Sequence, residues 1–112
     1  MAFDEELASR VREVLAPRPE LSERKMFGGI AFMVGGNMAV GVIGDDLMVR
    51  LDPADAEQAL SEAHTRPMDF TGRPMKGMVF VDSAGTEEDE ALAGWVDAGA
   101  DFAASLPAKS KR

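Results

Sequence analysis

The chain contains no cysteine, which excludes disulfides, thiol nucleophiles and thiolate metal sites. It has one histidine, His64, with no serine or carboxylate at a recognisable triad spacing around it. Its place beside Thr65 and Arg66, at the end of a helical segment, reads as a surface position favoured by the helix dipole. No apolar run approaches the roughly 20 residues that cross a bilayer. The opening MAFDEELASR is acidic, where a signal peptide is basic and then apolar. A cytoplasmic chain with no membrane partner is expected. Bases are scarce: twelve Lys and Arg stand against twenty Asp and Glu, a formal net charge of −8. Three of those bases lie in the terminal KSKR, so the body carries nine bases against twenty acids, a balance of −11. Such a body repels phosphate backbones, and direct nucleic-acid binding is not expected.

What is present describes one folded domain. A chain of 112 residues, 46% hydrophobic and 29% charged, has the length and balance for a single buried core. Phe3, Leu7, Val11, Val14 and Leu15 recur at helical spacing, which predicts an amphipathic helix over residues 4–16, stopped by Pro17. PRPELSE reads as a connector. The stretch RKMFGGIAFMVGGNMAVGVIGDDLMVRL then divides into strands over 25–34, 38–43 and 47–51, separated by the turns GGN and GDD. In the third, Leu47, Val49 and Leu51 alternate with Met48 and Arg50, which should share an amphipathic outer face. Asp52-Pro53 is a helix start, leading to about residue 63 with the small stripe Ala56, Ala59, Leu60 and Ala63. Strands over 67–71 and 75–82 follow, joined by TGRP. Thr86 and Asp89 resemble a capping box for a last helix whose apolar stripe is Leu92, Trp95, Val96, Gly99, Phe102 and Leu106. Trp95 is expected to contribute most to the core, about 3 to 5 kcal/mol on truncation to alanine. The expected fold is a two-layer α+β domain over residues 1–107, with an antiparallel sheet of about five strands in the order α-β-β-β-α-β-β-α, and a disordered basic tail over 108–112.

Candidates for chemistry are few. The glycines fit neither GxxxxGK[ST] nor GxGxxG, and each cluster runs on into more strand, so turns and bulges are favoured over phosphate binding. The Gly28-Gly29 pair inside a strand suggests a bulge or the close approach of another backbone, such as a partner strand. Asp45 and Asp46 could hold a metal, but adjacent acids in a turn are more often there for turn geometry. The run Glu87, Glu88, Asp89, Glu90 lacks the spacing of a calcium loop. No cofactor, metal or catalytic residue is assigned, and a non-enzymatic role is expected. Arg24, Lys25, Arg50, Arg66, Arg73 and Lys76 fall near strand ends and could converge on an anion or an acidic partner, with scattered surface bases the favoured alternative. Met26, Met33, Met38, Met48, Met68, Met75 and Met78 lie in or beside strands, where thioethers fill irregular cores or form an adaptable surface, core filling being favoured.

The segment KMFGGIAFMVGGNMAVGVIGDDLMVRLD resembles the N-terminal domain of the TfoX/Sxy family, bacterial regulators associated with natural competence. The features that carry the resemblance are Met26-Phe27-Gly28-Gly29, the turn and strand at Asp46-Leu47, Arg50-Leu51-Asp52 before a helix, and RPMKGMVFVD ahead of a helix with Trp95. It spans residues 3–106. It implies a fold like that of type III secretion chaperones and action through protein contacts in transcriptional or competence regulation, with a homodimer among the options. Longer members carry a C-terminal helical domain, and this chain reads as the N-terminal domain alone. The partner surface expected on this basis is Met26, Phe27, Gly28, Gly29, Met48, Arg50, Arg73 and Lys76. The alternatives are a chaperone-like binder of an extended peptide on a methionine-lined sheet, and a small-anion-binding protein.

Overall fold

A computed structural model of the chain describes residues 3–26, 28–67 and 77–107. Its elements are α1 (Glu5–Leu15), β1 (Leu21–Met26), β2 (Gly29–Val34), β3 (Asn37–Ile43), β4 (Asp46–Arg50), α2 (Pro53–Ala59), β5 (Thr65–Pro67), β6 (Met78–Val81) and α3 (Asp89–Ser105), with a single 3-10 turn at Ser83–Gly85 before α3. The sheet is antiparallel and six-stranded, in the order β1-β2-β3-β4-β6-β5. The α+β class and the helix–strand alternation agree with the sequence reading.

The strand count differs because the expected 25–34 strand is two strands. Strands β1 and β2 pair antiparallel, with Met26 opposite Gly29 and Leu21 opposite Val34. Gly28 takes φ +75°, a conformation that glycine enters without steric cost. Leu21, Ser22 and Glu23, read as connector, therefore belong to an edge strand. Gly29 answers the other half of the question: a β-carbon there would collide with the carbonyl oxygen of Val42 in β3. The close backbone approach exists, and it comes from the chain's own next strand. A bulge also exists, one step further on. Phe32 pairs with Val40 and Met33 with Met38, so Ala39 is the extra residue of β3, and both Ala39 and Val40 join the core.

Helix α1 begins on Asp4, whose carboxylate accepts from the N–H groups of Glu6 (2.9 Å) and Leu7 (3.2 Å). Its buried stripe is Leu7, Ala8, Val11 and Leu15. The start of α3 differs from expectation. Glu88 is the N-cap residue, without a side-chain hydrogen bond, while Thr86 is buried and its hydroxyl donates to the Ser83 carbonyl (3.3 Å). The Asp89 carboxylate turns instead to Arg10 of α1 (3.0 Å), whose guanidinium also donates to the Glu87 carbonyl (3.2 Å). An interhelix tie replaces the local box.

All three helices contribute to one core on one face of the sheet, with Ile30, Phe32, Val40, Val42, Leu47, Val49, Val79 and Val81 beneath them. Phe32 is the largest fully buried side chain. Trp95, expected to contribute most to the core, is only half-buried and packs against its edge. Gly99 brings α3 down on the bulge: a β-carbon there would lie 2.5 Å from the Ala39 carbonyl oxygen and 2.8 Å from Val40 Cγ1. At the far end of the helix the buried Asn37 amide donates to the carbonyls of Pro107 (3.0 Å) and Ala103 (3.5 Å), the latter also accepting from the Leu106 N–H (3.2 Å). Among the described residues no helix is long and apolar enough to cross a membrane.

Candidate interaction surface

Of the residues expected to form a partner surface, the described ones do not share one face. Phe27, Arg73 and Lys76 lie outside the described residues. Met26 and Gly28 sit at the β1–β2 turn, and Gly29 is buried under β3. Met48 lies on the outer face of β4, yet it is 1% exposed and packs with Met78 and Phe80 in a second buried cluster, flanked by Met38 and Ile43. Arg50 leaves that face altogether. Its guanidinium ends 5.6 Å from the ring centroid of Phe102 in α3, on the helix side. The shared amphipathic face expected of Met48 and Arg50 is therefore absent. The end of β4 lets a long, flexible side chain swing to an aromatic face, where a cation is favoured.

The bases do not converge either. Arg24 and Lys25 lie on β1 and Arg66 on β5, the two opposite edges, five strand spacings or about 24 Å apart. Arg66 lies over the Phe80 ring (4.8 Å to the centroid) and donates to Asp46 (2.6 Å). This takes Asp46 away from Asp45, and among the described residues no group of acids and histidine could hold a metal ion. His64, in the turn after α2, has φ +69° and its Nδ1 lies 3.4 Å from an Asp82 carboxylate oxygen. It is half exposed, as expected, but it faces a carboxylate and not a helix end. The sheet edges are guarded: β1 presents Ser22, Glu23, Arg24 and Lys25, and β5 is three residues long and ends in proline.

A concave surface lies elsewhere, between α2 and α3. It is a groove of about 670 Å³ floored by Leu51, Ala59, Ala98, Trp95 and Phe102 and rimmed by Asp55, Glu62 and Asp101. Its geometry follows from α3. Leu92, Val96, Gly99, Ala100 and Ala103 point into the core, and the neighbouring stripe Trp95, Ala98 and Phe102, at i, i+3 and i+7, lies at the core's edge on the side of α2, with Arg50 over Phe102. Helix α2 is short and buries only Ala56 and Ala59, too little to cover two aromatic rings. On the rim, Asp101 shares Arg18 with Asp97 (2.9 and 3.2 Å). Burial works against the Arg18 charge, but the hydrogen bonds that Arg18 donates to Asp101 and Asp97, with the carboxylates' negative charge, outweigh it and hold the guanidinium above its ordinary pKa. Asp55 and Glu62 form no ion pair with any described residue. None of these residues except Arg50, which borders the groove through Phe102, was singled out from sequence as a partner contact. The available signal was the second apolar stripe of α3, wider than one contact face needs.

Among the described residues the domain is two-layer α+β, with a charged β1 edge, a buried methionine cluster and an aromatic-floored groove between α2 and α3. The chain belongs to the TfoX N-terminal domain family, whose model matches residues 13–103. No curated protein matches it, and no solved structure does.

Proposed function

We propose that this TfoX N-terminal domain is a non-enzymatic interaction module that binds another protein through the α2–α3 groove. The observation that carries the reading is the half-buried pair Trp95 and Phe102, two large rings on α3 that the other described residues leave partly uncovered. Aromatic anchors at the centre of a concave patch with a polar rim are the usual composition of a protein contact. The family resemblance gives the direction: regulation, of the kind associated with natural competence, exerted by contact with a partner. The peptide-holding alternative, which needs an open methionine-lined sheet, is not favoured by Met48, Met78 and Phe80, which are buried. The anion-binding alternative is not favoured by the separation of Arg24 and Lys25 from Arg66.

Photo-crosslinking tests the proposal. Benzoylphenylalanine replacing Ala98 or Glu62 should yield discrete adducts in native lysate, whereas the same group replacing Arg24 on the β1 edge or Met33 on the outer sheet face should not. Adducts from Arg24 or Met33 equal to those from the groove positions would reject the groove as the contact surface.

A further inference from the structure

We propose that the occupant of the groove is a basic amphipathic α-helix, which rests on the groove being the contact surface and adds the chemistry of what fills it. Three features converge. The first is the hydrogen bonding of the groove's α2 wall. The Ala56 carbonyl accepts from Leu60 N–H, the Gln58 carbonyl from the Ser61 N–H and hydroxyl, and the Ala59 carbonyl from Glu62 N–H and the Thr65 hydroxyl. An extended segment would find these acceptors taken and would bury its own backbone groups unpaired, whereas a helix brings its backbone already satisfied.

The second is shape. Trp95 and Phe102 stand seven residues apart on α3, a rise of about 10.5 Å, with Ala98 between them and Ala59 across the floor. Small residues at the centre let a second helix axis approach, while the rings brace either end over about two turns of the incoming helix.

The third is charge. Asp55 and Glu62 lie on the rim without an ion-pair partner among the described residues, on a chain of net charge −8. The chain itself displays the chemistry of a cation over one ring, Arg50 on Phe102. Trp95 offers a second ring face, and indole is the strongest of the aromatic rings for a cation. An incoming helix with Leu or Ala along its buried stripe and Lys or Arg flanking it would meet apolar floor, ring faces and acids in register.

Trp95 is the only tryptophan, so its emission reports the groove directly. The probe is a helical peptide of about 18 residues, built from Leu, Ala, Lys and Arg and lacking Trp and Tyr. Its controls are a twin with Glu for every Lys and Arg, and a twin broken by central proline. The basic helix should change Trp95 emission saturably. Its affinity should fall about fivefold in the double variant Asp55→Asn/Glu62→Gln, corresponding to about 1 kcal/mol from two exposed charges. The variant Glu13→Gln, which removes an acid from the exposed face of α1, should leave affinity unchanged. Both variants should melt as the parent does.

Equal binding of the proline-broken peptide would overturn the helix, and equal binding of the acidic twin, or equal loss in Glu13→Gln, would overturn the charge assignment. A concentration-dependent dimer in sedimentation that itself shifts Trp95 would assign the groove to a second copy and overturn the proposal. In each of these cases crosslinking from Ala98 can still succeed, and the contact surface stands. Silence of every peptide together with silence of the crosslinks removes both.

Discussion

Two glycines in α3 provide a matched test of how the groove is positioned. Replacing glycine by alanine in a helix interior gains about 1 kcal/mol of intrinsic propensity. At Gly94 a β-carbon meets nothing within 4 Å, so Gly94→Ala should stabilise by roughly that amount. At Gly99 the same methyl would sit 2.5 Å from the Ala39 carbonyl oxygen and 2.8 Å from Val40 Cγ1. Ala39 belongs to β3, which β2 and β4 hold on both sides, so relief has to come from lifting α3. Overpacking of this kind costs about 1 to 3 kcal/mol, which cancels or exceeds the propensity gain. The two variants should therefore differ by about 1 to 3 kcal/mol in urea unfolding. For a domain of this size that is a gap of about 4 to 12 °C in melting temperature. Because α3 carries Trp95 and Phe102, Gly99→Ala should also alter Trp95 emission in the folded state, and Gly94→Ala should not. A Gly99→Ala protein at least as stable as Gly94→Ala, with unchanged emission, would refute the packing of α3 on the bulge.

Other perturbations separate core from surface. Phe32→Ala removes the largest fully buried side chain and should cost about 3 to 5 kcal/mol, whereas Trp95→Ala, acting on a half-buried ring, should cost about 1 to 2 kcal/mol in the same denaturation assay. Asn37→Leu removes the buried amide that donates to the carbonyls of Pro107 and Ala103, the latter keeping Leu106 N–H as a donor, and should lower stability by about 0.5 to 1.5 kcal/mol. Faster amide exchange should be confined to the last turn of α3. Arg18→Ala releases Asp97 and Asp101, both largely exposed, so the loss should stay under about 1 kcal/mol and shrink with added salt.

The sequence carried the architecture because its strongest signals are local. The 3.6-residue stripe of α1, Asp52 ahead of Pro53, and glycine-punctuated runs of β-branched and methionine residues each act within a few positions. It misled where two local readings were equally good. Gly28-Gly29 inside a long apolar run could be a bulge or a hairpin, and the deciding interaction, β1 against β2, involves the charged and unremarkable LSERKM. Thr86 and Asp89 had capping spacing, but the distant Arg10 claimed the carboxylate. The groove was hidden for a related reason. Periodicity placed Trp95 and Phe102 on the apolar side of α3, but only the shortness of α2 and the core-facing choice of Val96, Gly99 and Ala103 leave those rings at the edge. Arg50 had the right neighbourhood and the wrong companions: its cation reaches Phe102, while Met48, two residues away, lies buried on the opposite face.

The groove is tested most directly by amide NMR of the isotope-labelled domain titrated with the basic helical peptide. Shifts should concentrate on residues 55–62 and 95–105, with β1 and the outer-face residues Met33 and Met38 unmoved. Perturbations centred on β1 or on the outer sheet face, with the α2 and α3 resonances still, would contradict the account.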